Sequence, residues 1–170
     1  MMEVVPGIYL LKVPIPDNPL GYTNAYLIDG DGRYALVDPG WSSQEALSAL
    51  RRELAEIGLD IERTSTVVVT HGHPDHFGLA GEIRRLSGAE VVMHGREFPK
   101  KLHQFNPDLF QYQMRSWLIA NGMPHDKTDL LQRSPLGAGD FAWWVSPDRT
   151  VEDGETLYIG SQRFEIIWTP

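Results

Sequence analysis

A short run of branched residues, TSTVVVT (Thr64–Thr70), leads directly into HGHPDH (His71–His76). Such a run without polar alternation suits a strand buried on both faces. His71 and His73 stand two apart at the strand's end, so their rings can converge on one point. Asp75 and His76 follow Pro74, where the chain turns towards a helix, and can reach a second point a few ångströms away. Imidazole with carboxylate suits zinc, and also iron or manganese, and leaves room for bound water. A lone histidine is usually structural or solvated, which is the expectation for His103 and His125. Three histidines and an aspartate within one loop after a buried strand point instead to a metal.

The surrounding pattern says where that loop lies. TNAYLIDGDGRYALVDPG predicts two strands joined by a turn at Asp29–Gly32. SSQEALSALRRELAEIG predicts a helix, with Ser42 and Glu45 as a capping box, Leu47, Leu50, Leu54 and Ile57 on one face, and Gly58 as its stop. Leu79, Ile83 and Leu86 predict a second amphipathic helix closed by Gly88, and EVVMHG a further buried strand. Strand–helix–strand–helix–strand from Tyr34 to His94 implies right-handed crossovers and a largely parallel arrangement. Helix-leading loops of such a sheet lie at its carboxyl edge, where ligands bind. HGHPDH is one of them, and His94, ending the next strand, is expected on the same edge as a neighbour that does not ligate.

Residues 95–150 break the pattern. NPDLFQYQMRSWLIANGMP predicts a helix capped by Asn106, with Pro107 in its first turn and a stop at Asn121-Gly122. Phe110, Met114, Trp117 and Leu118 share one side of it, for packing or as a substrate lid; FAWWVSP is equally open. GETLYIGSQRFEIIWTP predicts two strands turning at Gly160-Ser161, with Phe164, Ile166 and Trp168 on one face.

A chain of 170 residues, 42% hydrophobic, has the makings of one domain with a real core. There is no cysteine, so thiolate sites and disulfides are excluded. The net charge of −8, with no basic block, argues against a phosphate-backbone partner. No apolar run is long enough to span a membrane, and the proline-interrupted N-terminus does not read as a signal peptide. The expectation is a cytoplasmic protein with a small-molecule substrate, no nucleic acid and no membrane partner.

THGHPDH matches the H-x-H-x-D-H signature of the metallo-β-lactamase superfamily, and NAYLI, ALVDPG, TVVVTHGHPDHFG and VEDGETLYIGSQRFEIIWTP extend the resemblance over nearly the whole chain. The signature indicates fold and metal far better than substrate. The resemblance implies an α/β fold, the αββα sandwich of that family, in its N-terminal part only and with a helical insertion at about 95–150. It implies that His71 and His73 hold a first metal and that Asp75 and His76 hold a second. Asp75 would also orient the nucleophilic water and manage its proton, and Asp38 in VDPG would support the site from behind. Two zinc ions are implied in an intact protein, with iron or manganese as substitutes.

Family members typically continue after a strand like FEIIWTP with GH, and later supply a bridging aspartate and a last histidine. None of these stands within the 170 residues. The expectation is therefore a partial domain with partial or no metal occupancy and little or no activity of its own, which either self-associates through a partly uncovered sheet face bearing Phe164, Ile166 and Trp168 or persists only alongside the missing segment. The acidic balance disfavours a nuclease. Glutamate is usual at the position of His73 in flavodiiron-type reductases, which disfavours those. The insertion resembles glyoxalase II-like hydrolases, implying a small ester or thioester substrate. An iron-dependent sulfur dioxygenase and a non-catalytic scaffold fragment are the alternatives.

Overall fold

Alternate side chains of the central strands serve two separate cores. In the computed structural model, which describes residues 1–16, 18–97, 107–125, 127–128 and 144–169, seven strands form one sheet in sequence order. They are β1 (Met2–Val5), β2 (Ile8–Pro14), β3 (Tyr22–Gly30), β4 (Arg33–Val37), β5 (Thr64–Val69), β6 (Glu90–His94) and β7 (Arg149–Val151). The first four make an antiparallel meander, and β4 to β7 run parallel. The crossover from β4 to β5 passes through α1 (Gln44–Ala55), and that from β5 to β6 through α2 (Pro74–Phe77) and α3 (Ala80–Ser87).

On one face Leu36, Val67, Val69, Val91 and Met93 are buried in one cluster with Leu50 and Leu54 of α1 and Ile83 of α3. Burying each such side chain contributes roughly 1.5–3 kcal/mol. On the other face Ile28 and Ala35 meet Leu157 and Ile159, with Val37 and Val68 packed alongside. Leu157 and Ile159 come from a hairpin of β8 (Thr156–Ile159) and β9 (Gln162–Glu165). Both faces of β5 are thus engaged, which is why its sequence lacks polar alternation. Phe164 and Ile166, expected to lack part of their cover, are partly buried against this second cluster, onto which the hairpin folds.

The chain divides into two compact units, residues 1–98 with 143–170, and residues 99–142. The second contains α4 (Pro107–Ala120), which ends as expected: the Asn121 amide donates to the Trp117 carbonyl at 3.1 Å and Gly122 has φ +89°. The Asn106 cap, His103, the side chains of Phe110 and Met114, and the first three residues of FAWWVSP lie outside the described residues.

Two local expectations are corrected. Ser43, not Ser42, caps α1: its extended backbone (φ −146°, ψ 157°) lets its hydroxyl accept the Ala46 amide at 3.0 Å. The box with Glu45 therefore does not form, and Glu45 lies in the first turn, where an acidic group suits the helix dipole. Leu79 precedes α3 as its cap residue instead of lying within it. The β1–β2 hairpin was not foreseen, although Pro6-Gly7 between two apolar runs is a turn signal.

The β8–β9 turn is held hard against the sheet. Gly160 has φ +57°, and a Cβ there would lie 2.5 Å from the Gly30 carbonyl carbon. Gly58 also has positive φ (+73°), but a Cβ there would meet nothing within 4 Å. Gly160→Ala should therefore destabilise by roughly 1–3 kcal/mol more than Gly58→Ala, whose cost is backbone strain alone. Urea denaturation of both variants checks this.

Candidate metal centre

β4 and β5 are parallel neighbours, with Leu36 opposite Val67 and Val37 opposite Val68. Their carboxyl ends deliver Asp38 and Thr70 side by side, and the Asp38 amide donates to the Val68 carbonyl at 3.0 Å. Asp38 is buried and has φ +50°, a left-handed backbone that aspartate tolerates better than most residues. Its carboxylate accepts the Thr70 amide at Oδ1 (2.8 Å) and the Thr70 hydroxyl at Oδ2 (2.7 Å). Oδ2 also accepts His76 Nδ1–H at 2.9 Å.

Three donors on one carboxylate decide the histidine tautomers. With its proton committed to Asp38, the Thr70 oxygen accepts from His71 Nδ1–H at 3.0 Å. Both His71 and His76 therefore carry their protons on Nδ1, leaving the Nε2 lone pairs for a cation. Thr70 was assigned no role from sequence. Its signal is its place between the strand and the first histidine.

The loop is shaped by packing. The His73 carbonyl accepts the amides of His76 (3.0 Å) and Phe77 (2.9 Å), which starts α2 directly after Pro74. A Cβ on Gly78 would fall 2.4 Å from the Ser42 amide nitrogen, and the Leu79 amide donates to the Gly40 carbonyl at 2.9 Å. That close approach seats α2 on the turn carrying Asp38. Behind the loop the Phe77 ring stacks on Trp144, with ring centres 4.3 Å apart.

The expected ligands are placed as follows. The His71 ring centre lies 4.6 Å from that of His73 and 4.2 Å from that of His76. His73 is exposed, and Asp75, half-buried, has Oδ2 at 3.5 Å from His76 Nε2. Among the described residues, one group of three offers ligand atoms all within 4.8 Å of one another: Asp38, His71 and His76. Asp38 thus stands in the cluster itself as well as behind it. His125 is exposed. Two imidazoles with oriented lone pairs and a carboxylate fit a divalent ion of the zinc, iron or manganese type.

Residues 18–170 match the model of the metallo-beta-lactamase superfamily. The chain belongs to this superfamily. Within it, the chain is 30% identical over 149 residues to a probable metallo-hydrolase, YqjP, of Bacillus subtilis, an alignment covering 85% of this chain and 44% of that protein. It is 37% identical over 99 residues to a hydroxyacylglutathione hydrolase of Albidiferax ferrireducens, covering 56% and 34%. A metallo-beta-lactamase family protein from Thermus thermophilus superposes with a TM-score of 0.78 at 34% identity, over 99% of this chain and 53% of that one. This superfamily chain spans about half the length of the relatives it matches. No helix among its described residues is long and apolar enough to cross a membrane.

Electrostatics sets a pH dependence. Burial, then the neighbouring His76 and His73, push the His71 pKa below its ordinary value. The hydrogen bond to Asp38 holds that of His76 above the ordinary value. A metal must displace the His76 proton, so affinity should fall as pH drops through that raised pKa. Asp38→Ala should shift this acid limb to lower pH while weakening affinity at pH 8 about 10–100-fold. Zinc titrations of the metal-free protein from pH 5.5 to 8 test both halves.

Proposed function

We propose that this chain carries the metal-binding edge of a metal-dependent hydrolase acting on a small ester- or thioester-like acyl compound. The observation that carries the reading is the Asp38–Thr70 pair, which orients His71 and His76 from one buried carboxylate. His71 and His73 would hold one ion, and Asp75 and His76 a second. Zinc suits these donors, and two ions are proposed for a protein of the relatives' length. A divalent ion in such a site would supply an acidified water, its pKa lowered to about 7.

The protein's own groups do the rest. Asp75, on the first turn of α2, orients the attacking water and takes up its proton. Asp38 never needs to touch substrate: it keeps His76 and, through Thr70, His71 in the tautomer that leaves Nε2 free. A thioester is supported by the relative named a hydroxyacylglutathione hydrolase, and hydrolysis by the one named a probable metallo-hydrolase.

A catalytic zinc site uses three protein ligands plus water, and His71 and His73 supply two of those for the first ion. Turnover by the 170 residues alone is therefore expected to be slow. The test is hydrolysis of acyl-glutathione thioesters by the zinc-loaded chain. A rate above that of zinc in buffer should vanish with chelator and fall about 100-fold or more in His71→Ala and Asp75→Asn. A chelator-insensitive rate, or one unchanged in Asp75→Asn, would overturn the assignment.

A further inference from the structure

Beside the metal loop lies a cleft of about 400 Å3, lined by His71 on one side and by Val151, Ile166, Trp168 and His94 on others. His94 ends β6 and is only 7% exposed. Its Nδ1 accepts the Arg96 amide at 3.1 Å, so the ring proton sits on Nε2. That N–H is sealed from water and, among the described residues, has no hydrogen-bond partner. Its nearest carboxylate, Glu152 Oε2, is 3.8 Å away, beyond hydrogen-bond range. A buried unpaired donor costs about 1–3 kcal/mol, which an acceptor placed against it would relieve.

The group lying on His94 is an indole. Trp168 stacks on the imidazole at 4.3 Å between ring centres and 23° between planes. Its backbone is fixed separately, the Trp168 amide donating to Asp153 Oδ1 at 2.8 Å. The indole can therefore rotate about its side-chain bonds while the chain beneath stays in place. The charges around the cleft are chiefly negative: Glu97 and Glu165 line it, and Glu152 faces His94, with the Arg96 guanidinium 5.8 Å from the Trp168 ring centre. Apolar walls, one N–H donor and an acidic rim suit a neutral acceptor and repel an anion.

We propose that this cleft binds an uncharged acyl group, its carbonyl oxygen accepting the Nε2–H of His94 and the Trp168 indole moving from the imidazole to cover the acyl chain. Neither His94 nor Trp168 is assigned to the metal; His71, on the opposite wall, is where the cleft meets the metal loop. The subsite rests on the hydrolase reading only for its use in turnover, and an ester or thioester is the substrate class it selects. A carboxylate product, being charged, is held less well, which favours its release.

Binding can be measured without chemistry, on metal-free protein, with N-ethylbutyramide as a neutral, slowly hydrolysed acyl probe and butyrate as its charged counterpart. Saturable shifts of the His94 Nε2 resonance, and a change in emission absent from Trp168→Phe, are expected with the amide. Butyrate should bind at least tenfold more weakly. His94→Phe, which keeps a stacking ring without the donor, should lose about tenfold in amide affinity, and His94→Gln, whose amide can donate, should recover most of it. Equal affinity for amide and butyrate, an unaffected His94→Phe, or no movement of the His94 resonance would overturn the subsite. If His94→Phe does not fold, the wild-type resonance and the butyrate comparison decide. Absence of zinc-dependent thioester hydrolysis in a chain extended to the relatives' length, alongside amide binding, would sink the hydrolase reading and leave the subsite standing.

Discussion

A single buried carboxylate governs the carboxyl edge of this sheet. Asp38 accepts one amide, one hydroxyl and one imidazole N–H, from the end of β5 and from α2. Its left-handed backbone costs on the order of 1 kcal/mol or more, and hydrogen bonds to a charged acceptor contribute about 1.5–3 kcal/mol each. The conformation is therefore sustained by the contacts it makes. Those same contacts fix two imidazole tautomers, so the interaction that tolerates the strain also prepares the site.

Much of this could be read from residue order. The buried strand before the histidines, the helix stop at Gly88 and the turn at Gly160-Ser161 follow from local rules, and all three stand in the structure. Parallel pairing of β4, β5 and β6 followed from the alternation of strands and helices. The loop residues expected to ligate were legible as a group because all four lie between His71 and His76. Thr70 and Trp144 were not, since their roles depend on contacts with residues far away in the chain: Asp38 for one, Phe77 for the other. The α1 cap was misplaced by one residue because Ser42 and Ser43 offer the same chemistry, and only backbone angles separate them. Asp38, expected to support the site from behind, stands against His76, yet its positive φ has no sequence signal.

The cleft adds a second lesson about signals. His94 was placed on the right edge by strand order alone, but its meaning comes from what its ring nitrogens face. An imidazole whose Nδ1 is held by the neighbouring Arg96 amide can no longer act as an acceptor there. It becomes a fixed donor, which suits a carbonyl oxygen and disqualifies it as a ligand through Nδ1. The same local hydrogen-bond logic that makes His71 and His76 lone-pair donors thus gives His94 the opposite character.

Core and site are coupled through strand register. In β5, Val67 and Val69 fill the helix-side core while Val68 packs with the hairpin-side one. A slip of one residue against β4 would exchange these faces and move Thr70 by about 3.3 Å along the strand. At that displacement neither Thr70 group could stay within hydrogen-bond range of Asp38, and His71 would lose the oxygen that orients it. The helix-side core demands the register that the site needs, because the pairing that sets Leu36 opposite Val67 also brings the Asp38 carboxylate onto the Thr70 amide and hydroxyl. Hydrophobic burial, worth several kcal/mol across these positions, therefore selects the arrangement in which the histidines converge. The geometry for a cation is a consequence of packing that would be favourable without one.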